Sequence, residues 1–179
     1  MRWLKWIGGV VLVLLLMVFG GGWLLSPTFS VVRSTTIDAS PDRVYGYIVD
    51  PKAWARWTVW NQRDPAMQME YGGAASGAGA TWNWTSDSQG SGQMRFTKAE
   101  ANQLVVYELF FPDFESTSTG ELRLASRGAG TEVTWTMDGD MGANPINRWF
   151  ALFSDQMIGP DFEAGLANLK TLAENGAAN

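Results

Sequence analysis

The chain opens on an unbroken apolar stretch, Trp6 to Leu25, which carries no charge over its 20 residues. A helix of that length covers the ~30 Å hydrocarbon layer of a bilayer, so the pattern predicts a membrane-spanning anchor over 6–25. Arg2 and Lys5 stand just before it, and no basic residue follows until Arg33. The positive-inside bias then places the N-terminus in the cytoplasm and everything after the span outside it, at the cytoplasmic membrane. Trp3, Trp6 and Trp23 sit near the two ends, where indole rings favour the interface. Two other readings stay open. Gly20 and Gly22 are small residues beyond an apolar run, as in a cleaved secretory signal, but an A-x-A-like site is missing and Trp23, Leu24 and Leu25 prolong the run. A buried core helix would need a polar face, and this stretch is apolar all round.

Beyond Ser26-Pro27 the period changes. Phe29 to Ile37 is rich in β-branched residues and predicts a strand. Ser40-Pro41-Asp42 is a helix start, with Ser40 placed to accept a backbone N–H, and Val44, Tyr45, Tyr47 and Ile48 follow it. Asp50-Pro51 repeats the signal ahead of Trp54 and Trp57, three residues apart on one helical face. Tyr71 to Ala80 is mostly Gly, Ala and Ser and reads as a loop. Thr81 to Ser86, Gly92 to Thr97, Leu104 to Phe111, Ser116 to Ala125 and Thr131 to Asp138 read as successive strands. Their short connections predict an antiparallel meander. Asn147 to Gln156 has helical character, and Gly159-Pro160-Asp161 starts a further helix in which Phe162, Leu166, Leu169 and Ala173 recur until Gly176. Pro160 argues against one straight helix across both. The order predicts an α+β domain over 29–176: a curved antiparallel sheet wrapped on a long C-terminal helix, with a pocket wherever the two apolar surfaces fail to meet.

Composition narrows the chemistry. The chain has no His and no Cys, which removes the commonest general base, the triads that depend on it, disulfides and most zinc and iron sites. With Arg2 and Lys5 set aside, 11 basic residues face 18 acidic ones after the span, a balance that argues against nucleic acid as a partner. Asp138-Gly139-Asp140 with Asn144 lacks the full spacing of a calcium loop and reads as a turn. The expectation is therefore no cofactor and no metal. Aromatic surface is abundant instead: seven of the 10 Trp lie beyond the span.

Taken together, Ile37 to Tyr45, the Trp54, Trp57, Trp60 series with Asp64-Pro65, Tyr71-Gly72-Gly73, Gly130 to Met137 and Met157 to Lys170 resemble the SRPBCC superfamily, the START and Bet v 1-like proteins whose bacterial branch is described as polyketide cyclase-like and lipid-transport-like. The resemblance runs from about Phe29 to Glu174. It implies a helix-grip fold with a cavity for lipids, sterols, polyketides or other apolar molecules. It implies no single reaction and carries no shared catalytic motif onto this chain.

The candidate ligand-binding residues follow from pattern. Trp54, Trp57 and Trp60 form an aromatic lip or else staple the short helices to the sheet. Trp82, Trp84, Met94, Phe96, Tyr107, Trp135 and Met137 occupy alternating strands, one set of which faces inward, and Phe162 faces them from the last helix. Met94 and Met137 suit a wall that adapts to its ligand. Glu108 faces inward with Val106 and Phe110, or faces solvent if Val105, Tyr107, Leu109 and Phe111 face inward; the solvated orientation is favoured, and the inward one would raise its pKa. Three functions fit: a membrane-anchored binding module for a hydrophobic or lipid-like molecule, a cyclase- or hydratase-like enzyme using Glu108, Tyr107 or Arg95, and a partner-binding domain whose cavity is closed. The leading expectation is the non-catalytic module.

Overall fold

A computed structural model describes residues 2–112 and 116–176. It opens on one apolar helical rod made of α1 (Arg2–Leu15), a π-helical turn (Leu16–Gly20) and α2 (Gly21–Leu24). Lys5–Leu24 is 20 residues long with mean hydropathy 2.3, long and apolar enough to cross a bilayer. Its side chains stand almost wholly exposed, which sets it apart from the core.

Seven strands then form one antiparallel sheet in the order β1-β7-β6-β5-β4-β3-β2. They are β1 (Thr28–Ile37), β2 (Gln68–Gly73), β3 (Ala80–Ser86), β4 (Gly90–Glu100), β5 (Leu104–Phe111), β6 (Ser116–Arg127) and β7 (Gly130–Asp140). Between β1 and β2 lie three short helices, α3 (Pro41–Val49), α4 (Trp54–Trp57) and α5 (Val59–Arg63), and α6 (Asn147–Asn175) closes the fold. This is the helix-grip arrangement: a curved sheet closed by a long last helix. A register shift between Phe96 and Lys98 adds one residue to β4, a device that bends a strand and tightens its twist.

Three expectations need correction. The stretch taken as a loop begins inside β2, since Gln68–Gly73 is a strand. It is an edge strand exposed almost throughout, so no alternation of buried residues marks it. The turn that follows is built rather than slack: Gly77 N–H donates to the Val49 carbonyl (3.0 Å) and Gly79 N–H to that of Phe96 (2.8 Å). Ser40 makes no side-chain cap bond to the α3 backbone; its hydroxyl bonds the Asp42 carboxylate, which holds that acid below its usual range. Finally, α6 runs unbroken through Pro160 for 29 residues. Proline removes one donor, but Pro160 and Gln156 are both exposed, so water can take the carbonyl left over.

The helix is fastened to the edge strand β1 along its length. Phe162, Leu166 and Leu169 are 1, 2 and 0 % exposed, and burial of each stabilises by roughly 1.5–3 kcal/mol. Beside them Arg33 reaches from β1 across α6 at Gly159, where a Cβ would collide with the guanidinium. It donates to Asp155 Oδ1 (2.7 Å) and Glu163 Oε1 (2.6 Å), one helical turn either side of that glycine. Further along, Lys170 Nζ donates to the Thr36 carbonyl (2.6 Å), and the Asp38 N–H donates to Glu174 (2.8 Å). These side chains occupy backbone groups at the sheet edge that would otherwise invite another strand.

The Arg33 guanidinium holds Asp155 below the ordinary carboxylate value of 3.8, and the Asp38 N–H with Lys170 holds Glu174 below 4.5. A depressed folded-state pKa stabilises the fold fully above the unfolded value and stops doing so as pH falls through the folded one. The full chain in detergent should therefore lose thermal stability below about pH 4. In circular-dichroism melts, Asp155→Asn should lower Tm at neutral pH and narrow the difference between neutral and acid. An unchanged acid dependence would show that this clamp contributes nothing.

Candidate ligand cavity

The concave face of the sheet and α6 do not meet everywhere; a cavity of about 170 Å³ lies between them. Strand alternation supplies its walls. Trp82 and Trp84 come from β3, Met94 from β4, Tyr107, Leu109 and Phe111 from β5, and Trp135 and Met137 from β7. Helix α6 contributes Ile158, Asp161 and Phe162. Trp54, Thr58, Trp60 and Asn61 close one side with Met67, Met69 and Gln89. Four of these side chains are methionines, whose flexible thioethers adapt to different shapes.

Nine of the expected residues thus line the space: Trp54, Trp60, Trp82, Trp84, Met94, Tyr107, Trp135, Met137 and Phe162. Three do not. Trp57 is fully buried behind the wall, its indole 4.8 Å from Trp54 and its N–H given to the Tyr47 carbonyl. Phe96 is likewise fully buried, edge-on to Trp82 at 5.2 Å. Glu108 points out of the other face: Val105, Tyr107 and Leu109 are the inward set, and Glu108 pairs with Arg95 at 2.6 Å on the solvent side. The strand's two-residue period puts Arg95 outside with it, so neither reaches the cavity.

Flat rings need flat ground, and the sheet provides it with glycine. Tyr107 lies across Gly120, its partner on β6, and Trp84 across Gly92, its partner on β4. A Cβ at either glycine would overlap the ring. Lying down, Tyr107 reaches Trp135, whose Nε1 donates to its hydroxyl at 2.8 Å. Burial pushes the phenol well above its usual range, so it stays neutral at any physiological pH. Among the described residues no acceptor takes the phenol's own proton. The ionisable group in the wall besides Tyr107 is Asp161, which accepts two bonds from Arg63, one of them 2.8 Å from Nη1. That pairing raises the Arg63 pKa and keeps the carboxylate occupied.

Sequence reasoning missed Leu109, Phe111, Met67, Met69, Thr58, Asn61, Gln89, Ile158 and Asp161 as lining residues. The first two follow directly once the inward set of β5 is known. Met69 sits in the edge strand β2, which carries no alternation of buried residues, and Asp161 stands in the helix-start pattern Gly159-Pro160-Asp161. Isolated glycines inside the strands, Gly92 and Gly120, were the unused signal. Asp138, Gly139 and Asp140, expected as a turn, are instead the last residues of β7, paired with Ser30, Phe29 and Thr28 of β1, and the turn comes after them, with Asp140 Oδ1 accepting the Gly142 N–H at 2.7 Å. Among the described residues no group of three or more His, Cys, Asp or Glu is placed to hold a metal.

The sequence pattern of the polyketide cyclase / dehydrase and lipid transport family matches residues 28–174. The chain belongs to this family. Solved structures share the fold at low identity. A protein from Chromobacterium violaceum matches with TM-score 0.59 and 17% identity, covering 81% of this chain and 96% of its own. Norcoclaurine synthase from Thalictrum flavum, a point mutant in complex with a transition-state analogue, matches with TM-score 0.64 and 12% identity, covering 84% and 97%. The di-domain aromatase/cyclase of the steffimycin pathway matches with TM-score 0.63 and 12% identity over 85% of this chain and 52% of that one. Among curated proteins none matches the sequence.

Gly120→Ala should force Tyr107 out of its place and destabilise the full chain by about 1–3 kcal/mol in urea unfolding. Gly46→Ala, on the exposed side of α3 with nothing within 4 Å of its Cβ position, should instead stabilise by roughly 0.5–1 kcal/mol. Equal effects at the two positions would contradict the close approach at Gly120.

Proposed function

We propose that this chain is a membrane-tethered binding domain, 29–176 held by the span 6–25, that keeps an apolar or lipid-like molecule in the space between sheet and last helix. The observation that carries the reading is the cavity itself: about 170 Å³, bounded by tryptophan, phenylalanine and methionine. An apolar void of ~150 Å³ is enough for benzene, so this one fits a single ring or a short length of acyl chain. A sterol or a whole lipid would keep the remainder outside the cavity. The tether makes physical sense for such a ligand, because molecules that partition into the bilayer are met there at high local concentration. The order of charges, Arg2 and Lys5 before the span, supports a domain on the extracytoplasmic side.

A catalytic alternative of the cyclase or hydratase type is supported by the family description and by the two enzyme structures that share the fold. Its chemistry would fall to Asp161 and Tyr107, since Glu108 and Arg95 stand on the outer face. Asp161 is engaged by Arg63 and Tyr107 stays protonated, which favours holding over proton transfer.

Native mass spectrometry of the full chain, released from nanodiscs, should reveal an apolar molecule that copurifies, or binding of an added short-chain fluorescent fatty acid. Met137→Trp, which fills the cavity, should abolish that binding while circular dichroism stays native. A wild-type chain that is always empty and binds no such probe would overturn the proposal. Turnover of a bound molecule that is lost in Asp161→Asn would favour the enzyme.

A further inference from the structure

The start of α6 is joined to the end of the apolar rod. Arg148 donates from Nη1 to the carbonyls of Trp23 (3.2 Å) and Leu25 (3.3 Å), and its guanidinium lies 5.1 Å from the centre of the Trp23 ring. Trp149 donates its indole N–H to the Val18 carbonyl inside the π-helical turn (3.0 Å). Gly21 and Gly22 make the approach possible: a Cβ at Gly21 would press on Trp149, and one at Gly22 would strike the Pro145 carbonyl. Val18 precedes Leu24 by six residues, ~9 Å along a helix. If the rod spans a bilayer, α6 therefore begins within the interfacial layer and not above it.

From that point α6 presents an apolar stripe. Ile146, Leu152, Phe153 and Met157 are 43, 48, 48 and 56 % exposed, large values for side chains of this size. Ile146, Phe153 and Met157 are spaced by seven and four residues, so they share one helical face, on which Gln156 and Pro160 are the neighbours. The charged side chains nearby are drawn off that face: Arg148 toward Trp23, Asp155 toward Arg33, Asp161 toward Arg63 and Glu163 toward Arg33. The stripe ends at Met157, whose neighbour Ile158 lines the cavity.

We infer that the first eleven residues of α6, Asn147–Met157, lie in the plane of the membrane interface with Phe153 and Met157 inserted among the lipids. The partner of this surface is the bilayer, and the stripe is continuous with the span through Arg148 and Trp149. The cavity wall at Ile158 is thereby held close to the membrane. This inference rests on the reading of 6–25 as a membrane span and deepens it.

The chain has no cysteine, so single labels can be placed cleanly. Full-length Phe153→Cys, Met157→Cys, Leu12→Cys and Gln103→Cys would each carry an environment-sensitive fluorophore in phosphatidylcholine liposomes. Some lipids would bear a doxyl quencher near the glycerol end of the chain and others near its middle. Labels at positions 153 and 157 should be quenched most by the shallow doxyl, at a depth of ~5–10 Å. The label at 12 should be quenched by the deep doxyl and that at 103 by aqueous iodide alone. Quenching at 12 with iodide access at 153 and 157 would overturn the inference and leave the span standing. Loss of lipid quenching at 12 would overturn both. Self-quenching at 153 that disappears when unlabelled chain is added would mean that a second copy covers the stripe, and would also overturn it.

Discussion

The fold turns on one indole. Trp135, near the middle of β7, stacks on Phe162 of α6 at 3.8 Å with only 7° between the rings. Its edge or face meets Trp57 at 5.2 Å, Trp54 at 5.8 Å and Trp60 at 6.1 Å, and its N–H is held by Tyr107. Gly165 lets α6 come down on it without a side chain in the way. Sheet, last helix and the short helices are thus referenced to the same ring. Such rings bury large areas but cannot bend to fill irregular space, so a core built from them tolerates a void that leucines would close. The cavity is a consequence of how the core is packed.

Charge is arranged around that core and kept out of it. Arg33 fastens α6 to the edge strand, Arg63 occupies Asp161 at the cavity wall, and Arg95 with Glu108 is spent on the outer face. Besides that paired Asp161, the cavity wall among the described residues is apolar except for a neutral phenol, a threonine and two amides. An interior of that kind selects by shape and hydrophobicity, with little to stabilise developing charge.

The junction with the apolar rod gives the molecule a direction. Two glycines permit contact, Arg148 takes the carbonyls left free at the helix end, and Trp149 takes one loosened in the π turn. A flexible linker would leave the cavity free to face anywhere. This short, bonded connection ties the cavity roof to the end of the rod.

Much of this was legible in the residues. The apolar run of 6–25, the five alternating strands from Thr81 onward and the periodic Phe162, Leu166, Leu169, Ala173 each carry a local period that identifies the element without help from the rest of the chain. Tertiary structure decided what local period cannot. Strand β2 lies at an edge and buries almost nothing, so it leaves no alternation to read. Pro160 is tolerated because its helix face is wet, which depends on what packs opposite. Glu108 could have faced either way, because alternation defines two sets and only the packing of Val105, Tyr107 and Leu109 against α6 and its neighbours selects one. The same holds for the cavity: the sequence by itself determined a large stock of aromatic side chains, and only their mutual geometry, set by Trp135 and the glycines beneath the rings, decided that some of the space between them stays empty.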